Sequence, residues 1–247
     1  MREGHRVLIL GGTGEAAELA ERLAAIPNVS VLSSLAGRVS HPHLPVGHVR
    51  IGGFGGVDGM ISTLRDEQIH LVIDATHPYA STISAHAATA CARSGVPMLI
   101  LERPAWLLQD GDRWYTVETL KEAAAKALTL GSRIFVTTGR RTAPSFTDPE
   151  AWYLFRSIDP PEEPLRENCE WILDRGPFTH LNELALMRRY AIDVVVSKNS
   201  GGDATYAKIV AARQLGIPVV MLERPICVPG EKVFSIYEAY EWVIGRF

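Results

Sequence analysis

Residues 12–17, GTGEAA, set two glycines and an alanine in the spacing G-x-G-x-x-A. Between a strand and a helix each small residue has its own use. Gly12 permits a tight turn, Gly14 lets a pyrophosphate approach the backbone, and Ala17 lets helix and strand pack closely. The unpaired N–H groups and the dipole at the helix start favour an anion. The pattern alone also occurs in plain glycine turns, so its weight comes from context. It follows the apolar run RVLIL (6–10) directly and opens AELAERLAAI, whose apolar residues recur at helical spacing. Glu15 is an awkward neighbour for a phosphate, although it suits the first turn of a helix.

The end of the second strand says which dinucleotide this site would take. An NAD site places Asp or Glu there, on the ribose 2′-hydroxyl. Here the chain has Ser33 and Ser34, then Gly37 and Arg38. Hydroxyls and an arginine suit a 2′-phosphate, which a carboxylate would repel. NADPH is therefore the expected cofactor.

Other polar groups follow predicted strands, on the side of an open α/β sheet where ligands bind. DATHPYA (74–80) offers His77 and Tyr79 on a loop stiffened by Pro78. SKNSGGDATYAK (197–208) offers Lys198, Asn199 and Ser200 with a glycine pair, Gly201 and Gly202. TTGRR (137–141) supplies Thr138, Arg140 and Arg141, and DRGPF (174–178) supplies Arg175. His77 and Lys198 are the residues that could move a proton, and each has a plainer alternative as a structural hydrogen-bonding group or a solvated turn residue. No nucleophile elbow, Walker loop or HExxH zinc motif occurs. What the strand ends of both halves collect is cationic and hydroxyl groups, which, if they face one cleft, suit a polyanionic small molecule.

Composition narrows the classes. Hydrophobic residues make up 47% of the 247 and charged residues 21%, a globular balance. No apolar run is long enough to span a bilayer, and the start MREGHRVLILGG enters a strand at once, so a cytoplasmic protein without a membrane segment is expected. A net charge of −3 argues against general nucleic-acid binding. Cys91, Cys169 and Cys227 lie far apart, giving neither a metal-ligand spacing nor a disulfide framework, and no metal is expected.

The elements that must position these loops are alternating buried strands and helices, which require crossover connections and a parallel sheet covered on both faces. The chain states this grammar twice. GVPMLILERP (95–104) and GIPVVMLERP (216–225) match at six of ten positions, and VLILGGTGE aligns with RIFVTTGRR. Two Rossmann-like α/β domains related by internal duplication follow, with a boundary expected near 105–130: residues 1–115 as the dinucleotide-binding domain, residues 116–247 as the second domain, which contributes to the substrate cleft. IDPPEEP (158–164) is expected to be a loop within the second domain. A monomer is the working expectation.

GGTGEA, SLAGR, GGFGGVDG, DATHPYA, LERPAW, TTGR, RGPF, KNSGG and the second LERP, in this order over residues 11–225, resemble the precorrin-6A reductases of cobalamin biosynthesis. The resemblance implies two Rossmann-like domains with strands that can be exchanged between them, NADPH held mainly by the first, and the tetrapyrrole precorrin-6A between the two. It implies hydride transfer to carbon 19 of the macrocycle with a proton added at carbon 18, giving precorrin-6B. The implied cofactor residues are Gly12, Thr13, Gly14 and Ala16 for the pyrophosphate, Ser34, Gly37 and Arg38 for the 2′-phosphate, and Thr76, His77, Pro78 and Tyr79 near the ribose and nicotinamide. Thr138, Arg140, Arg175, Lys198, Asn199, Ser200 and Gly201 would meet the substrate. Two other functions compete: an NADPH reductase of another anionic small molecule, and a non-enzymatic NADPH-sensing regulator. The macrocycle could be metal-free or hold cobalt.

Overall fold

The computed structural model of the protein describes residues 4–37, 44–161 and 166–247. The chain divides into two compact units, Met1–Arg103 with Pro225–Phe247, and Pro104–Arg224.

Unit 1 runs β1 (His5–Leu10), α1 (Gly14–Ala24), β2 (Val29–Leu35), β3 (His48–Ile51), α2 (Gly56–Asp66), β4 (Leu71–Asp74), α3 (Ser81–Ser94) and β5 (Met98–Leu101). The end of the chain completes it with β12 (Glu231–Val233) and α7 (Ile236–Ile244). The sheet order is β12-β5-β4-β1-β2-β3, and every pair is parallel. Because successive side chains of a strand face opposite ways, the run Val7–Leu10 feeds two cores. Val7 and Ile9 pack with Leu19 and Leu23 of α1 and Trp242 and Val243 of α7. Leu8 and Leu10 pack with Met60 and Leu64 of α2 and Ala87 and Cys91 of α3. All four strand residues are at most 1% exposed, and each such burial contributes roughly 1.5–3 kcal/mol.

Unit 2 runs β6 (Trp114–Val117), α4 (Leu120–Leu128), β7 (Arg133–Val136), a 3-10 helix (Arg140–Ser145), β8 (Trp152–Ser157), β9 (Cys169–Leu173), α5 (His180–Arg189), β10 (Val194–Lys198), α6 (Ala207–Leu215) and β11 (Val219–Leu222). Its order, β6-β11-β10-β7-β8-β9, repeats that of unit 1, again with parallel pairing throughout. Where α1 stands in unit 1, unit 2 has only the 3-10 helix. Pro144 lies inside it and cannot donate a helical hydrogen bond.

The doubled sentence marks the fifth strand of each sheet. Gly95 and Gly216 end α3 and α6 at φ 67° and 66°, a left-handed conformation that glycine adopts without strain. The strands follow, and each LERP glutamate continues the ladder onto a sixth strand. Glu102 N donates to Val233 O at 2.9 Å, and Glu223 N to Val117 O at 2.8 Å. In both cases the sixth strand comes from the other half of the sequence: β12 follows the second LERP but pairs with β5, and β6 follows the first but pairs with β11. This exchange makes unit 2 begin at Pro104 and returns residues 225–247 to unit 1, where the sequence reading divided the chain once, between 115 and 116. Of the IDPPEEP segment, residues 158–161 follow β8 inside unit 2, and 162–165 lie outside the described residues.

Candidate cofactor and substrate sites

In unit 1 the strand order reverses direction between β1 and β4, and the loops leaving their carboxyl ends form a topological switch point. Thr13 joins these loops. As the N-cap of α1 its Oγ1 accepts from Ala16 N at 3.1 Å, and it donates to Ala75 O at 2.8 Å. Gly12 takes φ 105°, which a side chain would resist. Gly14 has an ordinary φ, and a Cβ built on it meets nothing within 4 Å. The protein's own packing therefore does not demand glycine there, and the open space lies over the start of α1. Ala16 is buried, its N–H is taken by Thr13, and it serves the turn by packing. The N–H groups of Gly14 and Glu15 have no partner among the described residues and remain for an anion. The turn fits a dinucleotide pyrophosphate.

The Glu15 carboxylate lies 3.3 Å from Arg103 Nε. Arg103 is the arginine of the first LERP, so the awkward acid has a local counter-charge.

Ser34, buried near the end of β2, accepts through Oγ from Arg50 of β3 at 2.8 Å. Gly37 has φ 67° and lies against Ile51. Arg38 lies outside the described residues.

The DATHPYA loop leaves β4 along one wall of a pocket shared with the carboxyl end of β5 and with Ile226, Cys227 and Val228. Asp74, 3% exposed, accepts from Thr76 N at 3.1 Å and Thr76 Oγ1 at 2.7 Å. Tyr79 N donates to His77 Nδ1 at 3.3 Å. Thr76, His77 and Pro78 line the pocket with Ser81, Ser84 and Glu102. Glu102 accepts from Lys232 Nζ at 3.1 Å and from Cys227 Sγ at 3.4 Å. Burial is the largest cause pushing the Cys227 thiol up, and its bond to Glu102 adds to it, so this sulfur stays protonated near neutral pH. Cys91 is buried and pushed up to about 12, burial first and Asp74 second. Neither sulfur is a nucleophile.

In unit 2 the switch point lies between β7 and β10, and Lys198 connects its loops by donating from Nζ to Thr138 O at 2.8 Å. Thr138 is buried, with its hydroxyl against that of Thr142. The Asn199 amide accepts from Trp106 N at 2.8 Å and donates to Trp106 O at 3.0 Å, which makes it an anchor for the segment after the first LERP. At Gly201 a Cβ would stand 2.2 Å from Pro104 O, so the backbone itself requires glycine. Of the expected substrate contacts, Arg140 follows β7, Lys198 ends β10 and Ser200 follows it, and Arg175 follows β9, while Thr138, Asn199 and Gly201 shape the loops. Arg140 Nη1 donates to Pro160 O at 3.4 Å, and Arg175 is exposed after β9. Arg224 of the second LERP donates to Asn199 O at 2.7 Å.

A buried charge cluster supports the loops. Arg156 makes a bidentate pair with Glu183 at 5% and 2% side-chain exposure, and its guanidinium stands 3.7 Å from the Phe178 ring centroid in the loop after β9. Lys208 donates to Thr205 O at 2.8 Å below the loop after β10. Sequence reading missed Arg50, Arg103, Glu102 and this cluster. The LERP repeat was the available signal for Arg103 and Glu102, whereas Arg50 stands on a strand that periodicity did not reveal.

Comparison with known proteins adds the last observation. The family described as Precorrin-6x reductase CbiJ/CobK matches residues 6–244. A precorrin-6A reductase of Rhodococcus erythropolis is 49% identical over 96% of this chain and 97% of its own. One from Mycobacterium tuberculosis (strain ATCC 25618 / H37Rv) is 47% identical over 97% and 98%. Proteins named cobalt-precorrin-6A reductase match at 27–28% identity. A solved structure named CobK precorrin-6A reductase superposes with a TM-score of 0.92 at 40% identity, covering 98% of this chain and 96% of that one.

Proposed function

The chain belongs to the precorrin-6x reductase CbiJ/CobK family, and from that premise we propose that it reduces precorrin-6A to precorrin-6B with NADPH. The supporting observation is that unit 1 carries a dinucleotide-type switch point and unit 2 carries a cation-bearing one. Bound NADPH supplies the hydride, delivered to carbon 19. Gly14 and Glu15 N–H would hold its pyrophosphate, with Thr13 fixing the turn. The pocket lined by Thr76, His77 and Pro78 would take the nicotinamide half, with Asp74 orienting Thr76 and Tyr79 N orienting the imidazole. The substrate's acetate and propionate groups meet Arg140, Arg175, Lys198 and Ser200, matching cations to carboxylates. A conjugated imine-like system needs no covalent nucleophile, in keeping with protonated Cys227 and Cys91, so positioning and electrostatics carry the catalysis. The higher identity to proteins named for the metal-free substrate favours precorrin-6A over its cobalt complex.

The test is anaerobic incubation of the full chain with NADPH and precorrin-6A, following absorbance at 340 nm and the tetrapyrrole spectrum. One NADPH consumed per macrocycle reduced is expected. Gly14→Val should fold, because the site is open on the protein side, yet lose the reaction with NADPH binding. NADPH binding without consumption would favour the sensing regulator. Turnover only with the cobalt complex would overturn the metal-free assignment.

A further inference from the structure

We propose that Arg50 is a residue by which this protein distinguishes NADPH from NADH, reading the 2′-phosphate from strand β3. The inference rests on the cofactor reading above and adds a residue to it. Arg50 is the register partner of Ser34 across the β2–β3 pair, near the strands' carboxyl ends. That is the edge to which a Rossmann-type sheet brings the adenosine half of its dinucleotide.

The guanidinium is already oriented. Nη1 donates to Ser34 Oγ at 2.8 Å and Gly52 O at 3.3 Å, Nη2 donates to Gly53 O at 3.0 Å, and the group lies 3.8 Å from the Phe54 ring centroid. These partners are neutral. Among the described residues Arg50 pairs with no carboxylate, and Nε–H and one Nη2–H have no acceptor. Burial is the main influence on the group and pulls its pKa below the usual arginine value, with Glu67 opposing. A partly desolvated cation held by neutral acceptors gains most from a strong anion, and two unused donors on a fixed fork suit a phosphate.

The neighbouring backbone keeps the approach open. Gly52, Gly55 and Gly56 have φ between 80° and 118°, and a Cβ on any of them, or on Gly53, meets nothing within 4 Å. Arg50 and Phe54 stack beside this bare turn as a flat surface of the kind on which an adenine can lie.

The experiment is calorimetric titration of the full chain, wild type, Arg50→Gln and Arg50→Lys, with NADPH, NADH and 2′,5′-ADP. Gln should weaken NADPH and 2′,5′-ADP at least tenfold while NADH changes less than threefold, as expected for loss of a charge-assisted contact. Lys keeps the charge but not the fork and should fall between. If Gln fails to fold by circular dichroism, Lys decides by the same comparison. Equal losses for NADPH and NADH, or no loss for either, overturn the role of Arg50 and leave the cofactor reading standing. A wild-type protein that binds neither NADPH nor 2′,5′-ADP overturns that reading and this proposal with it.

Discussion

Arg103 Nε stands 3.3 Å from a carboxylate oxygen of Glu15, at side-chain exposures of 18% and 27%. The first arginine of the repeated LERP thereby neutralises the acid at the mouth of the glycine turn. A bare carboxylate there would repel an incoming pyrophosphate. Arg103→Ala should weaken NADPH about five- to tenfold, the effect of roughly 1 kcal/mol for a partly exposed pair. In the Glu15→Gln background the same change should cost less than twofold. An undiminished loss in that background, measured by NADPH titration, would mean that Arg103 acts on the phosphate directly and not through Glu15.

His77 lines the pocket beyond β4 with its Nδ1 turned to Tyr79 N. In the proposed site this ring would stand beside the cofactor, and we assign the carbon 18 proton to water or a substrate carboxyl group. His77→Asn should keep at least about a hundredth of wild-type single-turnover hydride transfer, since general acids typically contribute 10²–10⁴-fold. A loss beyond a thousandfold at saturating NADPH would make His77 the acid. Lys198 donates to Thr138 O, and if it serves as the proposed carboxylate anchor, Lys198→Met should raise the KM for substrate more than it lowers kcat.

Lys208 is 4% exposed, stands 4.9 Å from the Trp106 ring centroid, and has Arg156 and Glu183 as charged neighbours. Burial, assisted by Arg156 and opposed by Glu183, pulls its pKa from 10.5 to about 7. The unfolded chain holds this proton up to its ordinary value, so between about 7 and 10.5 it binds more protons than the folded protein, and stability rises with pH. Below about 7 both states are protonated and this dependence disappears. Urea unfolding at pH 6, 7.5 and 9 should show Lys208→Met more stable than wild type at pH 6, with the two converging as pH rises. A constant difference across that range would show that Lys208 does not titrate in this window.

The sequence by itself determined the element types, the duplication and the polar loops at the strand ends. Val7–Leu10 is apolar without a break because both its faces are covered, and GTGEAA after it can only be a strand-to-helix turn. What one chain read in order does not determine is which sheet a short strand joins. Glu231–Val233 and Trp114–Val117 have little period of their own, and each pairs with a fifth strand from the other half; the family resemblance implied an exchange of strands, but which strands are exchanged is decided by the ladders from Glu102 N and Glu223 N. Side-chain commitments were hidden for the same reason. Asn199 and Thr138 read as free polar groups at strand ends, but partners distant in sequence, the Trp106 backbone and the Lys198 ammonium, hold the Asn199 amide and the Thr138 carbonyl. Arg50 gave no signal because its meaning depends on Ser34, sixteen residues earlier and adjacent only through the parallel register of β2 and β3.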